Sequence, residues 1–378
     1  MQEAIDLEVL DERLEYEHRT VRPEDIEFER ITSEEEDAES APPDYEINTY
    51  PADFTLEVLY QKWLTGDIEI PKFQRQFVWK QNQASKLIES FLIGLPVPAV
   101  FLYTERASQK FLVIDGQQRL RSVFYFLEGF FGEEKNGKRE VFQLTGLNEK
   151  SRYHQQTFKA LTSADQRKLH NCVLRSFIVQ QLDPQDVTSI YHVFERLNTG
   201  GTFLANQEIR NCVYRGNFRV LLQELNRLQE WRRVTGKDSI DSRQRDIELI
   251  LRFFALLDST HYVKPMKDFL SKFMNKNREL GGTVYGQFRT LFSATCAAVT
   301  KALGDRPFHI RRGLNSAVFD CVMVSFAHHL DAIPADIGER YKQLIEDKTG
   351  FLTKVSAGTT DEEVLKDRMR LANERLFG

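Results

Sequence analysis

Residues 111–127 read FLVIDGQQRLRSVFYFL, and the fold turns on how this stretch is parsed. Phe111 to Ile114 is a short apolar run of strand length. Asp115-Gly116 is a turn. From Gln117 the spacing becomes helical, with Leu120, Val123, Phe124 and Leu127 on one face. A strand, a glycine turn and a helix start in immediate succession expose backbone N–H groups at the turn. The helix dipole adds to them, so the corner favours an anion such as phosphate. Gln117, Gln118, Arg119 and Arg121 add side-chain donors in the first turn, and arginine grips phosphate bidentately. Asp115 supplies a carboxylate able to hold a divalent cation or position a water. The plainer alternative is an ordinary strand-to-helix corner with a solvated basic first turn.

Upstream, Ala99 to Tyr103 forms a second apolar run, joined to the first by the polar loop TERASQK, which predicts an antiparallel hairpin. Gln81 to Ile93 has helical spacing, with Ala84, Leu87, Ile88 and Phe91 on one face and Gly94 as the stop. Gln74 and Arg75 stand between aromatics in Phe73 to Trp79. They point a guanidinium into the same pocket, or the aromatics merely anchor a loop; spacing leaves both open. DIEIP reads as a short strand. Phe54, Val58, Leu59 and Trp63 share a helical face closed by Thr65-Gly66.

Downstream, residues 132–171 are polar and mixed, with EEKNGKRE as a surface turn. Leu174 to Leu182 is a strand, and Asp183-Pro184 opens a helix with Val187, Ile190, Tyr191, Phe194 and Leu197 buried. That helix runs into Glu195-Arg196-Leu197-Asn198-Thr199-Gly200-Gly201. A double glycine lets backbone approach a ligand closely. Glu195 and Asn198 beside it are candidate magnesium ligands, or the segment is a helix cap with a polar rim. From Asn206 onward almost every segment has helical spacing. His328 and His329 are adjacent and face different ways, which suits satisfied or surface histidines better than a metal pair.

The bulk composition sets limits. An apolar fraction of 41% with 28% charged residues over 378 residues describes a globular chain with room for more than one domain. No apolar run reaches membrane-spanning length. The N-terminus is acidic and lacks a signal-peptide core. Cys172, Cys212, Cys296 and Cys321 are scattered, without zinc spacing, and read as free thiols in a reducing cytoplasm. Residues 1–50 hold 18 Asp/Glu against 4 Arg, whereas the remaining 328 residues carry 47 Lys/Arg against 38 Asp/Glu. A mildly basic body behind an acidic tail fits a phosphate-rich partner. The tail itself has the composition of a solvating disordered segment. No Walker-type GxxxxGK[ST] loop, GxSxG elbow or HExxH motif is present.

Four stretches, IPKFQRQFVW, LIESFLIGLPVPAVFL, VIDGQQRL and FERLNTGGTFLANQEIRN, resemble in this order the bacterial family called domain of unknown function 262. The resemblance spans about residues 50–215 and is most specific at DGQQR. It implies an α+β fold: a ParB/sulfiredoxin-like mixed domain, whose relatives bind nucleotides without a Walker loop, followed by a mostly α-helical domain. The expected division is an acidic tail at 1–48, the nucleotide-binding domain at 49–204 and the helical domain at 205–378. The family's settings are prokaryotic phage defence, including GmrSD-like modification-dependent restriction enzymes, where NTP hydrolysis regulates cleavage of modified DNA.

Carried onto this chain, the resemblance puts the nucleotide on Gln74, Arg75, Gly116, Gln117, Gln118, Arg119, Asn198 and Thr199. Asp115, Gln118, Arg119 and Glu195 are the expected catalytic residues, with Mg²⁺ on Asp115 and Glu195. No His-Asn-His-type nuclease motif occurs, so DNA cleavage is expected of a separate effector subunit. The expected function is an NTP-hydrolysing cytoplasmic sensor acting with DNA or an effector, with room for a homodimer surface. The rival is a DNA-binding module or nuclease gripping DNA phosphates with the same Gln and Arg groups. A third reading is an antitoxin-like or scaffold partner whose polar pocket is inactive.

Overall fold

The computed structural model describes residues 46–70, 77–104, 109–135, 137–182, 189–197, 205–311 and 313–378. They divide into two compact units at the Arg215–Gly216 bond. The expected mixed region followed by a mostly helical one is what the structure has.

The first unit opens with β1 (Ile47–Thr55), α1 (Leu56–Leu64) and β2 (Ile68–Glu69). It continues with α2 (Gln81–Ile93), β3 (Val100–Thr104), β4 (Phe111–Asp115) and α3 (Gln117–Glu128). A small hairpin follows, β5 (Phe130–Lys135) with β6 (Lys138–Val141). Then come α4 (Ser163–Asn171), β7 (Val173–Gln181), α5 (Ser189–Leu197) and α6 (Asn206–Val213). The sequence placed α6 at the start of the helical part; contacts place it in this unit.

Among the described residues the main sheet has the order β1-β7-β3-β4-β2. β7 runs antiparallel to β1 and parallel to β3, β3 and β4 form the predicted antiparallel pair, and β2 lies parallel to β4. Near the end of β4 the register slips: Phe101 opposes Asp115 while Leu102 opposes Val113. One extra residue in β4 thus sits beside the Asp115 corner, where a bulge re-aims the chain.

Both faces of the sheet are covered. Val100, Leu102, Val113, Leu174 and Ile178 pack with apolar residues of α1, α2, α3 and α4. On α2, Ala84, Leu87, Ile88, Phe91 and Leu92 are buried, and Gly94 at φ +83° ends the helix as expected. Each such fully buried large side chain contributes about 1.5–3 kcal/mol. Ile114 and Val179 belong to a second, smaller cluster with Phe194 of α5 and Ile209 of α6. β4 therefore carries Val113 into one core and Ile114 into the other, and the corner that follows is fixed from both sides.

Three sequence expectations are corrected. The helix drawn through Phe54 begins only at Leu56; Phe54 lies in β1, and Val58 is exposed. β1 itself was unexpected, since Ile47-Asn48-Thr49-Tyr50-Pro51 lacks alternation; as an edge strand it tolerates Pro51. The polar stretch 132–171 contains a hairpin and α4, whose only buried apolar side chain is Leu169.

The second unit, Gly216–Gly378, is helical. Its centre is a set of buried charges. Asp320 on α12 (Ser316–His328) accepts from Arg252 on α9 (Arg245–Leu256) at 3.0 and 2.5 Å, and from Arg368 on α15 (Glu362–Phe377) at 3.3 Å. The other helices of the unit are α7 (Asn217–Leu225), α8 (Gln229–Thr235), α10 (Met266–Lys276), α11 (Gly282–Leu303), α13 (Ile337–Glu346) and α14 (Phe351–Lys354). His328 and His329 each bond a backbone carbonyl, of Leu257 and Ser325, as satisfied histidines do. No helix among the described residues is long and apolar enough to cross a membrane.

Candidate phosphate-binding site

The corner between β4 and α3 is built around Gly116. Its φ is +95°, in the left-handed region that residues with a Cβ avoid. A Cβ there would lie 2.3 Å from Cγ1 of Val100. Glycine is thus required twice, by dihedral and by the close approach of β3. Because the cap residue is a glycine, no side chain caps the start of α3. The first-turn amides of a twelve-residue helix face the turn with the positive end of its dipole behind them. The Gly116 carbonyl already accepts the first helical bond, from Leu120 N–H at 3.0 Å.

Arg119 and Asp115 form one unit across this corner. The Arg119 Nη2 donates to Asp115 Oδ2 at 2.8 Å and to the Ala99 carbonyl at 3.0 Å. The guanidinium is therefore tied to the ends of both hairpin strands through a single nitrogen. Its Nε is buried without a hydrogen-bond partner among the described residues. The arginine side chain is 19% exposed and the Asp115 carboxylate 41%. Asp115 keeps lone pairs toward solvent, and Arg119 keeps donors beyond the anchored one.

Gln118 turns toward a different part of the chain. Its side-chain oxygen accepts the N–H groups of Val78 and Trp79 at 3.1 and 3.3 Å. Phe77 inserts its ring between Tyr125 and Phe131, edge-on to both, at 5.1 and 5.4 Å. The aromatics after Gln74-Arg75 do anchor the chain to the core, as the plainer sequence reading supposed.

Not every sequence candidate reaches the corner. Arg121 does not: its Nη1 donates to Glu133 Oε1 at 2.8 Å and to the Tyr125 hydroxyl at 3.5 Å. It lies about half a turn further round α3 and serves the junction with β5. Burial pushes the Tyr125 phenol up, so it meets Arg121 as a neutral group. Gln117 occupies the first position of α3, half-buried. Gln74, Arg75, Asn198 and Thr199 lie outside the described residues. Glu195 is on α5, and its side chain is likewise outside the description. Among the described residues no three His, Cys, Asp or Glu side chains converge as a metal cluster would require.

α6 holds polar residues that the sequence reading passed over. Gln207, Arg210 and Asn211 are buried, Arg210 to 1%. Gln207 Nε2 donates to Asn211 Oδ1 at 3.2 Å, and Arg210 Nη1 to Gln207 Oε1 at 3.2 Å. The signal was available: these residues sit at i, i+3 and i+4, a polar stripe on one helix face. Ile209, between them, shares a core cluster with Ile114, the residue before Asp115. Glu69, at the end of β2, pairs with Arg215 at the end of the unit.

Residues 56–215 match the family model described as the GmrSD restriction endonuclease, N-terminal domain. The match starts at the first residue of α1 and stops at Arg215, where the first compact unit stops. It covers the hairpin, the DGQQR corner, α5 and α6, and so bears out the resemblance carried by the four motifs. The matched model is named for the N-terminal part of a restriction endonuclease. A search of curated proteins gave no significant match.

Proposed function

We propose, for a chain whose residues 56–215 match a restriction-system N-terminal domain, that this domain binds a nucleoside triphosphate and hydrolyses it as the sensor of a phage-defence system. The observation that carries the proposal is the corner: a glycine at φ +95°, a helix start with no capping side chain, and Arg119 anchored through one nitrogen. Such an arrangement binds phosphate with main-chain N–H groups and needs no Walker loop.

The first-turn amides of α3 would receive phosphate oxygens. Arg119, already fixed by Asp115 and the Ala99 carbonyl, would present its remaining donors to charge that grows on the transferring phosphoryl group. A donor held in place before reaction stabilises that charge without reorganising. Asp115 fits a role as one carboxylate of a magnesium site completed by phosphate oxygens and water, with Glu195 as the second that the resemblance supplies. Bound there, the cation would neutralise charge on the phosphates. Gln74, Arg75, Glu195, Asn198 and Thr199 are carried into the proposal by the family resemblance, as is the ParB/sulfiredoxin-like reading of the domain. The DNA or effector partner and a cytoplasmic setting rest on the same ground.

The test is phosphate release from each of the four nucleoside triphosphates with Mg²⁺, with and without DNA, for wild type, Asp115→Ala and Arg119→Ala. Release abolished by both substitutions in folded protein is the expected result. Absence of nucleotide binding, together with DNA affinity that falls steeply with salt, would instead favour the DNA-gripping alternative.

A further inference from the structure

From the geometry around Gln118 we infer that this residue is a positioning residue, a latch that seats the Phe77–Lys80 segment on the first turn of α3. The inference rests on the phosphate-site reading above and assigns Gln118 a role other than direct phosphate contact.

Three consecutive backbone N–H groups end on glutamine side-chain oxygens. Val78 and Trp79 donate to Gln118 Oε1 at 3.1 and 3.3 Å, and Lys80 donates to Gln83 Oε1 at 2.9 Å. The Gln83 bond is local, within the first turn of α2. The Gln118 bonds span about forty residues of sequence and join two separate motifs. A side-chain carbonyl has two lone pairs, and both are used here on adjacent amides.

The helix is built to receive the segment. Gln118, Ser122 and Tyr125 lie at i, i+4 and i+7, a single stripe along α3. Ser122 is fully buried and donates its hydroxyl to the Gln118 backbone carbonyl at 2.7 Å. Tyr125 takes the Phe77 ring. Phe77 therefore fixes one end of the segment by packing, and Gln118 fixes its middle by hydrogen bonding. Val78 and Trp79 come to rest against the same turn that carries the first amides of α3. With its oxygen committed, Gln118 has only its Nε2 donors to offer a ligand. Its larger effect would be to hold the Phe77–Lys80 segment beside the first turn of α3.

The test compares wild type, Gln118→Glu and Gln118→Met in the full chain, with two readouts. Amide hydrogen exchange is followed at Val78 and Trp79 without ligand. The affinity for a nonhydrolysable nucleoside triphosphate with Mg²⁺ is measured separately. Glutamate keeps an acceptor oxygen, and methionine keeps the shape without one. The methionine variant should exchange at Val78 and Trp79 about tenfold faster or more, with β4 and α2 unchanged, and bind nucleotide about tenfold more weakly. The glutamate variant should keep both amides protected. Unchanged exchange in Gln118→Met overturns the latch, and weaker nucleotide binding without faster exchange would make Gln118 a direct ligand contact. A wild type that binds no nucleotide removes the parent proposal instead, and the exchange result still decides whether the latch exists.

Discussion

Replacing Gly116 by alanine isolates the feature on which the corner depends. Two costs can be read from the structure. A φ of +95° lies in the left-handed region, where an L-residue loses about 1–2 kcal/mol. The new Cβ would also meet Val100 Cγ1 at 2.3 Å and Val100 Cβ at 2.9 Å. Relief requires β3 or the helix start to move, and overpacking of this kind costs about 1–3 kcal/mol. Together they predict a loss of about 2–5 kcal/mol for Gly116→Ala, a large share of the roughly 5–15 kcal/mol that holds a domain. Because the chain has two units, a single unfolding transition is not assured, so hydrogen exchange in β4 and α3 is the better assay. A loss of about 3 kcal/mol appears there as exchange faster by roughly two orders of magnitude. Val100→Ala in the same chain removes the Cγ1 methyl at 2.3 Å and keeps the Cβ at 2.9 Å. The double variant should therefore be less damaged than the sum of the singles, by about 1–2 kcal/mol, with the dihedral cost and the close approach of the residue-100 Cβ remaining. A Gly116→Ala protein within about 0.5 kcal/mol of wild type, or strictly additive variants, would refute the reasoning.

Other outcomes follow from single contacts. Asp320→Asn leaves the buried Arg252 and Arg368 without their shared counter-charge, and should cost the helical unit about 3–5 kcal/mol in urea unfolding. Asp115→Asn removes a half-exposed ion pair and should cost under about 1 kcal/mol while ending phosphate release; loss of the fold instead would make Asp115 chiefly structural. The Thr162 hydroxyl, with Tyr153 and Arg152, holds the Asp165 carboxyl below its ordinary value. A lowered folded-state value gives stabilisation that is present at neutral pH and lost as the pH falls through the acid range below about 4. Asp165→Asn should therefore flatten the acid limb of stability against pH, and identical limbs would contradict the assignment. Burial pushes the Cys321 thiol up to about 12 and raises that of Cys296. Both should resist alkylation at pH 8 in native protein and react once it is unfolded, as mass spectrometry of labelled peptides would show.

How much of this was legible in the chain depends on the range of the interaction that fixes each part. α2, the β3–β4 pair and α3 were readable because period, glycine stops and apolar faces are local signals. Gly116 announced its turn, though only the structure shows that Val100 leaves no room for a side chain. β1 was hidden, since its pairing with β7 is settled more than a hundred residues away and its own sequence does not alternate. α4 was hidden because one leucine carries its apolar face. Within the site, Asp115 and Arg119 stood at i and i+4, so their pairing was open to inference. The use of Ala99 as a second anchor was not, and neither was the bond from Gln118 to Val78 and Trp79. Arg121 shares the first turns of α3 with Arg119 in sequence, and its pairing with Glu133 on β5 was not legible there.

The central claim is that the uncapped start of α3 and the anchored Arg119 bind the phosphates of a nucleotide. Equilibrium binding of a nonhydrolysable nucleoside triphosphate with Mg²⁺, to wild type and to Arg119→Ala of unchanged exchange elsewhere, tests it most directly. Saturable binding to wild type that weakens at least about tenfold in the variant is the predicted result. Absence of binding by any of the four nucleotides, or equal affinity in the variant, would contradict it.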